Sequence, residues 1–231
     1  MLRIFILVFF TLLSICGIGQ DTLNLLDQSG KKNGYWQKHD SLGRLVYEGH
    51  FNHGIPEGRF QYYYPSGKIK TISVVSEKGN YASTHSFFSN GQKMASGIYR
   101  NEKKDSTWQF FSEIDGSLVS TEEYMAGIKS GCTQVFFPKG ALAEMICWKD
   151  GIKNGTWEQY YSDSKIKLRG SFLKGEKSGS FKTYYLSGQL MMSGQYAMGH
   201  QEGTWVYYDE KGQIVKKEIY NQGELLKTEL P

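Results

Sequence analysis

Aromatic and aliphatic residues recur along this chain with a long period punctuated by glycine, and polar residues fill the positions between. From Lys32 to Leu225 one unit repeats eight times. Gly155, Gly179 and Gly203 open successive units 24 residues apart. Gly34, Gly58 and Gly131 are the other opening glycines, and each but Gly131 stands two residues before a bulky aromatic. That aromatic is Trp36, Phe60, Trp108, Trp157, Phe181 or Trp205, with Thr84 and Thr133 in its place in units three and five. Ala82 and Ser106 replace the opening glycine in units three and four. A second aromatic follows three residues on: Tyr63, Phe87, Phe111, Phe136, Tyr160, Tyr184 or Tyr208, with His39 in the first unit.

Dipeptides such as Ser66-Gly67, Asn90-Gly91 and Ser187-Gly188 then interrupt the pattern. Between aromatic runs they signal hairpin turns, because glycine supplies the positive φ a tight turn demands. An aliphatic (Leu45, Ile69, Leu190, Ile214), another aromatic (Phe51, Tyr99, Phe172, Tyr220) and a closing glycine (Gly54, Gly127, Gly199, Gly223) complete the unit. Unit four carries one extra residue in its turn, Glu113-Ile114-Asp115-Gly116, where a hairpin tolerates insertion. Tyr, Phe, Trp, Ile and Val favour strands, and no helical stripe follows the first 19 residues. The expected fold is all-β: an elongated open antiparallel sheet built from about eight tandem β-hairpin repeats of 24 residues.

A two-residue turn would set Trp157 opposite Gly170 and Phe181 opposite Gly194, each ring covering the facing glycine. The row of aromatics therefore reads first as packing; a row that also stacks a ligand stays open. The same register places Cys132 opposite Cys147 in unit five, a candidate disulfide. It makes them a hydrogen-bonded pair, whose wider Cα spacing suits a bridge less well, and a three-residue loop would move them to opposite faces.

The unit G-x-W/F-x-x-Y/F-Y/F-x-x-G-x-L/I, then Y/F-x-x-G, resembles the bacterial variant of the MORN repeat. Units six to eight match it best; units three and five depart at the first aromatic. The resemblance implies successive hairpins in one elongated sheet. Bacterial proteins with such repeats carry the label YwqK-family antitoxin, which implies neutralising a toxin, or acting as an immunity protein, by direct binding. The resemblance also suggests membrane-surface contact, which the modest charge supports weakly.

Residues 1–19 read as a secretory signal. Arg3 gives the positive start, Ile4 to Ile15 the apolar run, and Gly17-Ile18-Gly19 a small-residue ending before Gln20. Cys16 suggests lipoprotein attachment instead, but Ile15 stands where a small residue is preferred. The expected product is exported: periplasmic, outer-envelope or secreted. Residues 20–31 form a polar lead-in and 226–231 a frayed tail, with the charged run Lys211 to Lys217 helping to hide the sheet edge. The chain has 27 basic and 23 acidic residues, and loss of Arg3 leaves a net charge of +3. That small, dispersed excess points away from nucleic acid.

Candidate chemistry changes this picture little. His50 and His53 stand three apart on a strand and so point to opposite faces; no metal is expected. Gly67-Lys68 lacks the rest of a phosphate loop. Carboxylates such as Glu122 and Glu123 show no paired acid and base. The reading is a non-catalytic, monomeric scaffold without a cofactor, binding a protein or envelope component through one broad face.

Overall fold

The computed structural model describes residues 23–231. The expected leader, its cleavage point and Cys16 lie outside the described residues. Eight hairpins follow one another. They pair Lys32–His39 with Leu45–Asn52, Ile55–Tyr63 with Ile69–Ser76, Tyr81–Phe87 with Lys93–Arg100, and Lys103–Phe111 with Leu118–Met125. The next four pair Gly131–Phe136 with Leu142–Lys149, Ile152–Tyr160 with Ile166–Leu173, Gly179–Tyr184 with Leu190–Ala197, and His200–Tyr208 with Ile214–Asn221. They are hairpins 1 to 8 below. All pairing is antiparallel between sequence neighbours, in one open 20-stranded sheet. Ile128–Lys129 and Glu176–Lys177 continue the lines of the strands that follow them, leaving 18 strand lines. At about 4.8 Å between strands, these extend roughly 80 Å.

The turns differ from the expected two-residue form. In hairpin 7 the Tyr185 N–H donates to the Gln189 carbonyl (2.9 Å) and the Gly188 N–H to the Tyr185 carbonyl (2.8 Å). Leu186, Ser187 and Gly188 thus form a three-residue loop, with Gly188 at φ +91°. A bulge then follows: Tyr184 pairs with Leu190 but Thr183 with Met192, leaving Met191 extra. The loop shifts the register by one residue and the bulge shifts it back. The expected partners therefore hold, with Trp157 opposite Gly170 and Phe181 opposite Gly194. True two-residue turns lie at the links between hairpins, except from hairpin 2 to 3, where Glu77–Gly79 forms a 3-10 turn; at Met198-Gly199, for example, φ is +47° and +82°. Two successive positive φ values match the right-handed twist of the flanking strands.

The bulge also changes the phase of the ladder at the cysteines. Cys132 and Cys147 are directly opposite and joined by a disulfide, with Cα atoms 4.0 Å apart. That spacing belongs to a non-hydrogen-bonded pair, about 4.5 Å, rather than the hydrogen-bonded pair expected from a two-residue turn.

Both ends of the sheet are more ordered than the expected lead-in and frayed tail. Leu25–Leu26 pairs with Lys32 and Asn33, and the Trp36 Nε1 donates to the Leu25 carbonyl (2.8 Å). Glu224–Glu229 pairs with Ile214–Asn221, so that Thr228 faces Glu218. This strand, rather than the charged run 211–217, covers the last hairpin.

Candidate functional site

Strand alternation puts the first aromatics of the six hairpins that have one on one face. Phe60, Trp108, Phe181 and Trp205 are 2%, 3%, 7% and 0% exposed and form the core; Trp36 and Trp157 are half-buried. Each buried ring lies on the glycine of the preceding hairpin. An ideal Cβ added to Gly49 would stand 2.3 Å from the Phe60 ring, and one on Gly97 or Gly194 equally close to Trp108 or Trp205. Gly194 is therefore covered by Trp205 of the next hairpin, although Phe181 is its partner across the ladder; the expected same-hairpin covering is corrected there. Trp157 does approach Gly170, whose added Cβ would meet both Trp157 and Phe181 at 3.2 Å.

The cause is a second bulge on the opening strand. Ser193 pairs with Val206 and Gln195 with Glu202, so Gly203, Thr204 and Trp205 together face Gly194. Gly203 turns the chain at φ +67°, laying the Trp205 ring back across the sheet. Ser106, which broke the glycine rule, still adopts φ +58°, and Trp108 docks on Gly97 as the others do. Ala82 has no positive φ, and the ladder from Thr71–Ser86 to Ser76–Tyr81 runs without a shift.

Seat and ring match along the array. Ser73 precedes Thr84 and Glu122 precedes Thr133, so the glycine is missing where the next ring is missing. Ile146 before Trp157 is the exception: that half-buried ring instead donates through Nε1 to Glu144 (3.0 Å). Glu218 holds the last seat, largely buried and fixed by Tyr207 (2.6 Å), Tyr220 (2.9 Å) and Lys216 (2.7 Å).

Lysines that sequence reasoning passed over lie along the same face. Lys32, Lys104, Lys129, Lys153 and Lys177 stand two residues before the opening position, a signal present in the sequence. Lys104 Nζ is 4.6 Å from the Trp108 ring centroid and 5.0 Å from Tyr124; Lys177 Nζ is 5.0 Å from Tyr196. Burial holds the Lys104 ammonium below the ordinary lysine range.

The second aromatics serve the hairpin joints. The residue after each, the second Y/F of the repeat pattern, bridges hairpins: Tyr64, Tyr161 and Tyr185 donate hydroxyls to the carbonyls of Phe87, Tyr184 and Tyr208 in the next hairpin (2.7, 2.7 and 2.8 Å). On the reverse face Tyr63 donates to Glu48, and Gln61 (2.9 Å) and Gln37 (3.0 Å) complete the cluster. Hydrogen bonds from Tyr63 and then Tyr35 hold the Glu48 carboxyl down at about 2. Tyr160 bonds Glu158 (2.5 Å) in the same manner. His53 pairs with Asp27 (2.7 Å), and no cluster of three or more metal-ligating side chains occurs among the described residues.

Where ring and bulge are both missing, at hairpins 2 and 3, the aromatic face opens into a cleft of about 530 Å³. Phe60, Tyr62 and Tyr99 wall it. Its floor carries paired hydroxyls: Ser73 with Thr84 (2.9 Å) and Thr71 with Ser86 (3.2 Å). Thr84 is buried. Lys70 and Glu102 contribute one charge of each sign to the lining.

The family model of the MORN repeat variant matches residues 56–74, 153–174, 177–197 and 201–222. These hairpins are MORN repeats. The matched MORN repeats are hairpins 2, 6, 7 and 8, each with its glycine and docked or half-docked ring. No curated protein matches the chain. Among solved structures, a chain of the TcdB2–TccC3 crystal structure is similar at 10% identity with a TM-score of 0.22. The alignment covers 88% of this chain and 14% of that one, so the chain spans a small fraction of its length.

Proposed function

We propose that the chain is a non-catalytic MORN-repeat scaffold that takes a protein or envelope component against its aromatic face, at the cleft of hairpins 2 and 3. One observation carries this reading. On a face where Phe60, Trp108, Phe181 and Trp205 are seated on glycines, the ring is absent at Thr84 and at Thr133, and at Thr84 a walled concavity takes its place. Ligand sites are concave, aromatic-lined and few per protein. Export fits the same reading, since the Cys132–Cys147 disulfide calls for an oxidising compartment.

Tyr62 and Val74 lie on opposite faces of hairpin 2 and are 39% and 48% exposed. A photo-crosslinking benzoyl-phenylalanine at each position, in cells of the native host, tests the face. Adducts from position 62 and none from position 74 are expected. Adducts from position 74 alone would place the working surface on the reverse face.

A further inference from the structure

We propose that the cleft of hairpins 2 and 3 is a subsite for a neutral glycan, one or two sugar rings of a longer chain. This rests on the scaffold reading above and names the chemistry of its partner. Three features of the cleft select that ligand.

The first is the hydroxyl floor. A Ser or Thr hydroxyl has one donor and two acceptor positions. Each pair, Ser73–Thr84 and Thr71–Ser86, uses one donor and one acceptor internally. One donor and three acceptors per pair are left over, and a ligand reaches them through the half-buried Thr71, Ser73 and Ser86, since Thr84 is buried. The two pairs stand two residues apart along the strands, about 6.8 Å, a spacing that hydroxyls on opposite edges of a pyranose ring can bridge. An apolar ligand would strip water from these groups without replacing its bonds.

The second is the walls. Tyr62 and Tyr99 present aromatic surface above a polar floor; Phe60 borders the cleft but is 2% exposed. A sugar ring has the same division, with C–H groups on its faces and hydroxyls around its edge. The aromatic wall takes the C–H face while the floor takes the hydroxyls. Tyr62 is the accessible wall, and its ring is braced by Tyr47 with centroids 5.8 Å apart.

The third is charge. The lining holds one lysine and one glutamate, Lys70 and Glu102, and no cluster of either sign. A polyanion would find its counter-charges elsewhere on this face, on the lysine row from Lys104 to Lys177. The volume, about 530 Å³, falls within the range of ligand sites and exceeds a single sugar ring.

Calorimetric titration of the full chain with cellohexaose, maltohexaose and chitohexaose tests the proposal, with a hexagalacturonate as the anionic control. At least one neutral hexasaccharide should bind with one-to-one stoichiometry. Thr84→Phe, which fills the cleft, should abolish that binding. Tyr62→Ala removes an exposed wall with little effect on folding and should weaken it about tenfold, the worth of one good aromatic contact. Thermal melts of both variants establish that they are folded. Absence of binding by all three neutral probes overturns the glycan assignment, as does stronger binding of the galacturonate or unchanged affinity in folded Tyr62→Ala. If the probes fail while crosslinks still form from position 62, the scaffold reading stands and its partner is not a glycan.

Discussion

Gly194→Ala isolates the contact on which the array is built. Its backbone is not in the left-handed region, so alanine faces no φ penalty there. Taken alone, the change should stabilise by about 0.4–1 kcal/mol, because alanine restricts the unfolded chain. The added Cβ, however, would sit 2.3 Å from Trp205 Cδ2 and 2.4 Å from Cε2. Ordinary contact begins at 3.4 Å, so the ring must retreat by 1.1 Å. It cannot do so alone: Tyr196, Phe181 and Tyr220 ring centroids lie 5.1, 5.6 and 6.3 Å away. Overpacking of this kind costs about 1–3 kcal/mol, for a net loss of up to about 2.6 kcal/mol. At about 2–4 °C per kcal/mol for a chain of this size, melting should fall by up to about 10 °C. Gly170→Ala is the control, since its Cβ meets rings at 3.2 Å and needs only a few tenths of an ångström. Melts followed by tryptophan fluorescence would compare the two. In a Trp205→Ala background the Gly194→Ala penalty should vanish. The reasoning fails if Gly194→Ala melts no lower than Gly170→Ala, or if its penalty persists without the Trp205 ring.

Two further expectations concern hairpin 5 and the reverse face. Reduction of the Cys132–Cys147 bond, or its replacement by serines, should lower stability by about 3 kcal/mol for a loop of this length; melts with and without a phosphine reductant would show it, and identical curves would argue against the bridge. The Glu48 carboxyl is held at about 2 by Tyr63 and Tyr35, so its stabilisation is present above the ordinary carboxylate range and is lost as pH falls towards 2. Glu48→Gln should therefore show a shallower loss of stability between about pH 4.5 and pH 2 in acid titrations monitored by circular dichroism; an unaltered slope would contradict the assignment.

The hairpins, their number and their order were legible because glycine spacing and aromatic alternation act locally. The turn chemistry was legible only in part. Ser187-Gly188 reads as a two-residue turn, yet the loop has three residues, and the register survives because the Met191 bulge cancels the shift. No local pattern announces such a cancellation. The covering of Gly194 was assigned to Phe181, its ladder partner, and belongs to Trp205; the difference arises from the bulge at Gly203, a long-range consequence of a local φ. The lysine row was legible from its constant place before each unit and was overlooked because charged residues read as solvated. Thr84 marked a weak unit in the sequence, whereas the cleft above it depends on Ser73, Tyr62 and Tyr99 converging from three other strands.

The seating of Phe60, Trp108, Phe181 and Trp205 each on the hairpin before it gives the array a direction of growth. A chain that emerges amino end first offers each seat before the ring that will fill it, so every new hairpin docks on a finished surface and none waits for one still to come. At Trp36, the first of these rings among the described residues, the Leu25 carbonyl accepts from the indole Nε1. The final seat is filled by Glu218 rather than left as glycine, and a ninth ring arriving there would meet a buried carboxylate. A duplication inserted between hairpins 6 and 8 should therefore extend the array on glycine seats, as monomers add to a growing polymer, whereas one placed after hairpin 8 would meet Glu218 in place of a glycine, as hairpin 5 meets Glu122.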